Sequence, residues 1–251
     1  MNNHIPNILF EDNHIIVVDK PFNILTQGDN TGDQSLYSQV KQYIKNKYHK
    51  PGKVYLGLIH RLDRPVRGII VFAKTSKAAS RLSEQIRVGD FTKKYIAISE
   101  SSPYGQPLPA RRMAEQISKW QTITHYLKKN PHTNTTKVSD IPKTDYKKSI
   151  LKFRLFPKSG NSSLVISNSN IIQHFLLPKN TILKNSNIIE VKLLTGRSHQ
   201  IRSQLSHIGL PILGDIKYGA SNPLPNKNIA LIANCLKLTH PTTKKVLIFK
   251  L

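Results

Sequence analysis

Residues Leu58 to Gly68 read LIHRLDRPVRG. One carboxylate, Asp63, stands among three guanidiniums, those of Arg61, Arg64 and Arg67. An acid in such company is either half of a structural ion pair or a working group kept ionised. An opposite charge within a few Å lowers a carboxylate's pKa and preserves it as a base or nucleophile at neutral pH. The segment lies between the apolar runs LGLI and GIIVFA, which puts Asp63 at a strand end facing a cleft. In an extended chain Arg61 shares a face with it. Arg64 and Arg67 are open to a plainer reading, as solvent-facing charges.

A second stretch, Leu193 to Gly219, reads LLTGRSHQIRSQLSHIGLPILGDIKYG. Thr195 and Gly196 form a turn. Arg197, His199 and Arg202 then enter a helix from its N-terminal end, where backbone N–H groups and side-chain charge together can hold a phosphate or a carboxylate. Packing or capping accounts equally well for His199 and His207, whose spacing does not make a zinc pair, and the sequence offers no evident third ligand. Gly209, Gly214 and Gly219 are turn glycines. Neither a dinucleotide loop nor a Walker A loop is present.

The elements that must carry these residues are legible from periodicity. ILFEDNHIIVVDKP reads as strand, turn, strand, stopped by Pro21. SLYSQVKQYIKNKY has helical spacing at Leu36, Val40, Tyr43 and Ile44. GIIVFAKT is a short buried strand. SKAASRLSEQIRVG follows as a helix with Gly89 just past its end. TKKYIAIS, SILKFRLF and IIEVKLLT alternate as strands, and Tyr95 sits among apolar neighbours in the first of them. SHQIRSQLSHIG is a helix ending at Gly209, and IALIANCLKLTHPTTKKVLIF is two strands and a turn. Between Ser101 and about Ser149 the pattern weakens, and KKNPHTNTTKVSDIPKTDYKK reads as a polar loop; PKSGNSS and LPKNTILKNSN read the same way.

The charge balance narrows the partner. Among 251 residues, 38 are Lys or Arg and 14 are Asp or Glu, a formal charge of +24. A domain this basic meets a polyanion, and nucleic acid fits better than a membrane because the cations are spread along the chain instead of lining one amphipathic helix. The lone Cys235 excludes a disulfide framework and a cysteine metal site; it reads as a small buried hydrophobe and fits a reducing compartment. The opening MNNHIPNILFEDN lacks the basic and apolar regions of a signal peptide, and no apolar run is long enough to span a bilayer. A soluble, cytoplasmic protein is expected.

Three segments in order, HRLDRPVRGIIVFAKT, TKKYIAI and TGRSHQIRSQLSHIGLPILGDIKYG, resemble the RluA-type pseudouridine synthases, and the closing LKLTHP…LIF resembles that family's last strands. The likeness runs from about Ile8 to Phe249 and is weakest between Ser101 and Ile188. In the first motif Val66 and Arg67 stand where the family has Thr and Ser. The resemblance implies a mixed α/β (α+β) pseudouridine synthase fold, with a mainly antiparallel sheet and a central cleft between two halves. It implies one catalytic domain over 1–251, without a separate N-terminal RNA-binding domain, because the pattern begins almost at Met1. It implies isomerisation of uridine in rRNA or a tRNA stem-loop, with no cofactor and no metal, because substrate and product are isomers; a monomer is expected.

By the same resemblance Asp63 is the catalytic aspartate, Tyr95 stacks on the flipped uracil and serves at C5, and Arg202 pairs with the aspartate. Arg61 fills the gap left by the flipped base. His60, Arg197 and His199 complete the substrate-binding set. A non-catalytic RNA-binding protein on the same scaffold is the alternative. A metal-dependent nuclease would need clustered carboxylates, and Asp63 stands alone in its motif.

Overall fold

The computed structural model describes residues 5–100, 119–155, 175, 177 and 186–251. The fold is mixed α+β, with mostly antiparallel strands. The chain divides into two compact units, Met1–Lys93 with Ala233–Leu251, and Lys94–Ile232. Among the described residues no helix is long and apolar enough to cross a membrane.

The first unit is built on β1 (Asn7–Glu11), β2 (Ile15–Lys20), β3 (Gly57–Leu58) and β4 (Arg67–Ala73), with β10 (Leu231–Thr239, which begins just before the boundary) and β11 (Val246–Lys250) from the end of the chain. The order is β1-β2-β4-β10, with β3 on β4 and β11 on β10. Every residue of β2 is buried, because helices cover both faces. On one face Ile15, Val17, Ile69 and Val71 pack with Ala78 and Leu82 of α2 (Ser76–Val88). On the other, Tyr37 of α1 (Leu36–Lys47) meets Phe72 edge-on. Each large aliphatic side chain so buried contributes roughly 1.5–3 kcal/mol.

Both helices are bounded by local chemistry. Ser35 and Ser38 make a reciprocal capping box on α1. Thr75 caps α2, and Gly89, at φ 88°, ends it in the left-handed region. Gly68 is required for closeness as well as conformation: at φ 144°, a Cβ there would lie 2.4 Å from the carbonyl oxygen of Ala233 on β10.

The second unit contains β5 (Thr92–Ser99, which begins just before the boundary), β6 (Gln121–Asn130), β7 (Thr135–Ser139), β8 (Lys147–Leu155), β9 (Asn187–Leu193) and α3 (Gln200–His207). Its strands run in the order β5-β9-β8-β6-β7. One expectation is corrected here. The stretch read as a loop from Lys128 onward contains the end of β6 and all of β7, an antiparallel hairpin in register from Asn130↔Thr135 to Tyr126↔Ser139. Its turn is made by Asn130, whose side chain accepts the N–H groups of His132 and Thr133, and by Asn134 at φ 48°. The hairpin escapes periodicity because its outer positions are Lys and Thr and its buried ones include Thr136 and Ser139. The loop reading of 157–163, and of all but Leu177, Ser186 and Asn187 in 177–187, lies outside the described residues. Asn187 opens β9.

Candidate active site

Asp63 is not at a strand end. It lies half-buried in the loop between β3 and β4, flanked by exposed Arg61 and buried Leu62. The loop is fastened on both sides of the aspartate. Before it, the Thr26 hydroxyl donates to the Leu62 carbonyl at 2.8 Å and accepts the Leu62 N–H at 3.1 Å. After it, the ammonium of Lys20 donates to the carbonyl of Arg64 at 3.1 Å, and also to those of Pro21 at 2.9 Å and Ile24 at 2.7 Å. The N–H of Val66 closes a turn onto the Asp63 carbonyl.

Lys20 is fully buried at the end of β2, opposite Gly68 in the β2–β4 register. Burial pushes its pKa down to about 7, against the pull of Asp63 and Asp19, with Arg64 adding to the fall. Three carbonyl acceptors match the three protons of an ammonium, so the geometry is that of the charged form.

The arginines of the first motif have other business. Arg67 is not solvent-facing: its Nη2 meets Asp19 at 2.8 Å, with Nε also on that carboxylate. Val66 beside it is buried. These two residues, at the place where the chain departs from its resembled family, therefore start β4 with a buried apolar side chain and an ion pair. Arg64 lies exposed against Asp33 at 2.7 Å, and its Nε donates to the Asn23 carbonyl. His60 is half-buried. Its Nε2 accepts the Val71 N–H at 3.3 Å, taking up the ladder where the β3–β4 pairing stops, and its ring meets Phe91 edge-on. Burial, with Lys93, holds its pKa down at about 3, so the imidazole is neutral.

In the second unit Tyr95 is buried on β5, 5% exposed. Arg197 is exposed in the turn before α3, and the buried Gln200 shapes that turn. Its Oε1 accepts from the Arg197 N–H and the Thr195 hydroxyl, while its Nε2 donates to the Ile150 carbonyl. His199 precedes the helix in the left-handed region at φ 50°. Arg202 is buried and forms a two-pronged pair with Asp215: Nε to Oδ2 at 2.7 Å and Nη2 to Oδ1 at 2.8 Å. Its guanidinium lies 5.0 Å from the ring centre of Tyr218. The Tyr218 hydroxyl accepts the Thr136 N–H and shares a 2.8 Å bond with His199 Nδ1. Burial raises that phenol's pKa above its ordinary value, against the Thr136 bonds and Arg202.

The structure thus joins His199 and Arg202 through Tyr218, and joins His60, Arg61 and Asp63 in one loop. Sequence reasoning missed Lys20, Asp215 and Tyr218. Asp215 and Tyr218 lie within the quoted motif, in ILGDIKYG, where the glycines drew attention as turns. An acid shortly after the helix that bears Arg202 was the available signal. Lys20 had no signal beyond a cation after four apolar residues and Asp19.

The family model described as RNA pseudouridylate synthase matches residues 14–207. A Helicobacter pylori protein described as an uncharacterized RNA pseudouridine synthase is 28% identical over 246 residues, covering 97% of this chain and 65% of the relative. A ribosomal large subunit pseudouridine synthase C of Buchnera aphidicola is 28% identical over 250 residues, covering 97% of this chain and 66% of the relative. The chain therefore spans about two thirds of the length of these relatives. A solved human structure, RNA pseudouridylate synthase domain containing 4, superposes with a TM-score of 0.65 at 19% identity, covering 98% of this chain and 87% of that one. At that identity the likeness is one of fold.

Proposed function

The chain belongs to the RNA pseudouridylate synthase family, and from that premise we propose that it isomerises uridine to pseudouridine in structured RNA, with Asp63 as the catalytic carboxylate. The bond between C1′ and N1 breaks, the uracil turns, and a bond forms between C1′ and C5. The C5 proton is lost and N1 gains one, so atoms and electrons balance within the substrate. The reaction asks the protein for an ionised carboxylate, a base near C5 and a surface that holds a flipped nucleotide.

Asp63 acts at C1′ or at the C2′ proton, and Tyr95 stacks on the uracil and takes the C5 proton. Arg202 orients Asp63, its own guanidinium being held in place by Asp215. Arg61 occupies the space the base leaves, while His60, Arg197 and His199 hold the surrounding RNA. In this reading the two units work as one catalytic domain, in a monomer, in the cytoplasm. Relatives named for the ribosomal large subunit make rRNA the first RNA to test, with tRNA stem-loops next.

The observation that carries the proposal is the fastening of the Asp63 loop on both sides, by Thr26 and by Lys20, in a chain of this family. Pseudouridine mapping across total RNA, with the wild-type protein and with Asp63→Asn, tests it. The variant is expected to lose modification to background while keeping its fold and its RNA binding. A variant with near wild-type turnover would remove Asp63 from catalysis and favour the non-catalytic RNA-binding alternative.

A further inference from the structure

Away from the residues proposed for uridine chemistry, three elements of the second unit bring potential metal ligands together. His125 lies on β6, Asp140 directly follows β7, and His207 ends α3. The β6–β7 register sets Ser139 beside Tyr126, which brings Asp140 next to His125. One ligand atom from each of the three residues lies within 4.8 Å of the other two. Both imidazoles address the same carboxylate oxygen. Asp140 Oδ1 is 2.9 Å from His207 Nε2 and 3.5 Å from His125 Nε2, and the two rings meet edge-on at 5.0 Å. Hydrogen bonding accounts for the shorter contact but is a poor account of the longer one. Zinc bound to imidazole and carboxylate at about 2.0–2.2 Å in tetrahedral geometry separates its ligands by roughly 3.4 Å. The two carboxylate contacts therefore stand near the spacing of a coordination shell before any ion is added, and the two imidazole ligand atoms lie within 4.8 Å of each other.

A second observation concerns the partner of His125. Gln204 is fully buried on α3, and its Nε2 lies 3.1 Å from His125 Nδ1, while its Oε1 has no hydrogen-bond partner. A half-turn of the amide exchanges the two atoms. It gives up the 3.3 Å bond to the Ser149 carbonyl, and in exchange Oε1 accepts from Nδ1–H. Nε2 of His125 then offers its lone pair toward Asp140. That is the tautomer a metal-bound histidine adopts, its far nitrogen donating to a fixed oxygen.

We propose that His125 Nε2, His207 Nε2 and a carboxylate oxygen of Asp140 form a binding site for one divalent transition-metal ion of the zinc class, with Gln204 orienting His125. The mixed nitrogen and oxygen donors suit that class better than magnesium or calcium, which take oxygen alone. Asp140 and His207 are both exposed, so water completes the shell and the ion has an open path in. The bound ion ties the C-terminal end of α3 to the β6–β7 hairpin, elements that also carry His199, Arg202 and Thr136. Nothing in the proposed uridine chemistry requires it, so the site stands or falls separately from that reading.

The test is calorimetric titration of the untagged full-length chain, freed of metal with a chelator, with zinc chloride alone. One ion per chain is expected. Asp140→Asn and His207→Ala, at the exposed edge of the site, should each weaken binding at least about tenfold. The exposed His49→Ala, far along the sequence, should leave it unchanged. His125→Ala should abolish binding, with circular dichroism reporting whether that buried variant is folded; if it is not, the two edge variants decide. Absence of a saturable one-ion event in the wild type would overturn the site. So would zinc binding that survives both Asp140→Asn and His207→Ala at wild-type strength.

Discussion

Lys20, in the first unit, hands its ammonium protons to the carbonyls of Pro21, Ile24 and Arg64. Arg202, in the second, is buried against a carboxylate, with side-chain exposures of 7% for Arg202 and 1% for Asp215. Both cations have left water, and their hydrogen bonds are made in different currencies. Carbonyl dipoles solvate the Lys20 charge without cancelling it, so its field still reaches Asp63 and Asp19. Asp215 cancels the charge of Arg202 and fixes the plane of its guanidinium. The first device supplies electrostatics to a loop, and the second supplies direction to a side chain.

The sharpest way to break the comparison is to remove Asp215. Asp215→Asn takes away the carboxylate that holds a buried guanidinium by two bonds, and loss of one member of a buried pair costs about 3–5 kcal/mol. Chemical denaturation should show a loss of that order, and Arg202→Leu should lose a similar amount. The double variant should recover part of it, because the two losses are coupled. Additive losses would mean that Asp215 stabilises something other than Arg202.

Removing Lys20 should cost less stability and still harm function. Lys20→Met leaves three buried carbonyls without a donor. Each unmet group costs about 1–3 kcal/mol, and water entering the vacated space offsets part of the sum. The net expectation is a loss of about 2–3 kcal/mol, with turnover on RNA falling further than substrate affinity because the Asp63 loop loses its anchor. An unchanged kcat in a folded Lys20→Met protein would confine Lys20 to packing.

The same cation has a signature in pH. Its folded pKa is pushed down to about 7, whereas in the unfolded chain it is that of an ordinary lysine near 10.5. Between these values the unfolded state holds more protons, so the Lys20 contribution makes stability rise as pH increases from about 7 towards 10.5. The difference in stability between wild type and Lys20→Met should therefore grow with alkaline pH. A difference that shrinks over this range would show that the folded state raises the lysine's pKa.

The smallest effect is expected at Arg64, whose pair with Asp33 is exposed on both sides. Arg64→Ala should stay within about 0.5 kcal/mol of wild type in thermal melts. A large loss there would mean that the donation to the Asn23 carbonyl, and not Lys20, fixes the loop after Asp63.

Much of this molecule is readable as a string. The unbroken apolar runs of β2 and β4, the alternation of β5, β8 and β9, the helical spacing of α1 and α2, and the stop at Gly89 follow from residues that touch near neighbours along the chain. The motif around Asp63 and the one around Arg202 are local for the same reason, and so is the basic character that points to a polyanion. The hairpin of β6 and β7 was lost because its stability comes from cross-strand pairing and from the cover of α3, while its side chains carry little apolar rhythm. Which acid meets which base was beyond reach altogether. With 38 cations for 14 acids, local order does not choose between Asp19 and Asp63 for Arg67, or set Asp215 on Arg202. The convergence of His125, Asp140 and His207 is of the same kind. Those partnerships are made when strands and helices distant in sequence are brought side by side, and only the folded chain measures those distances.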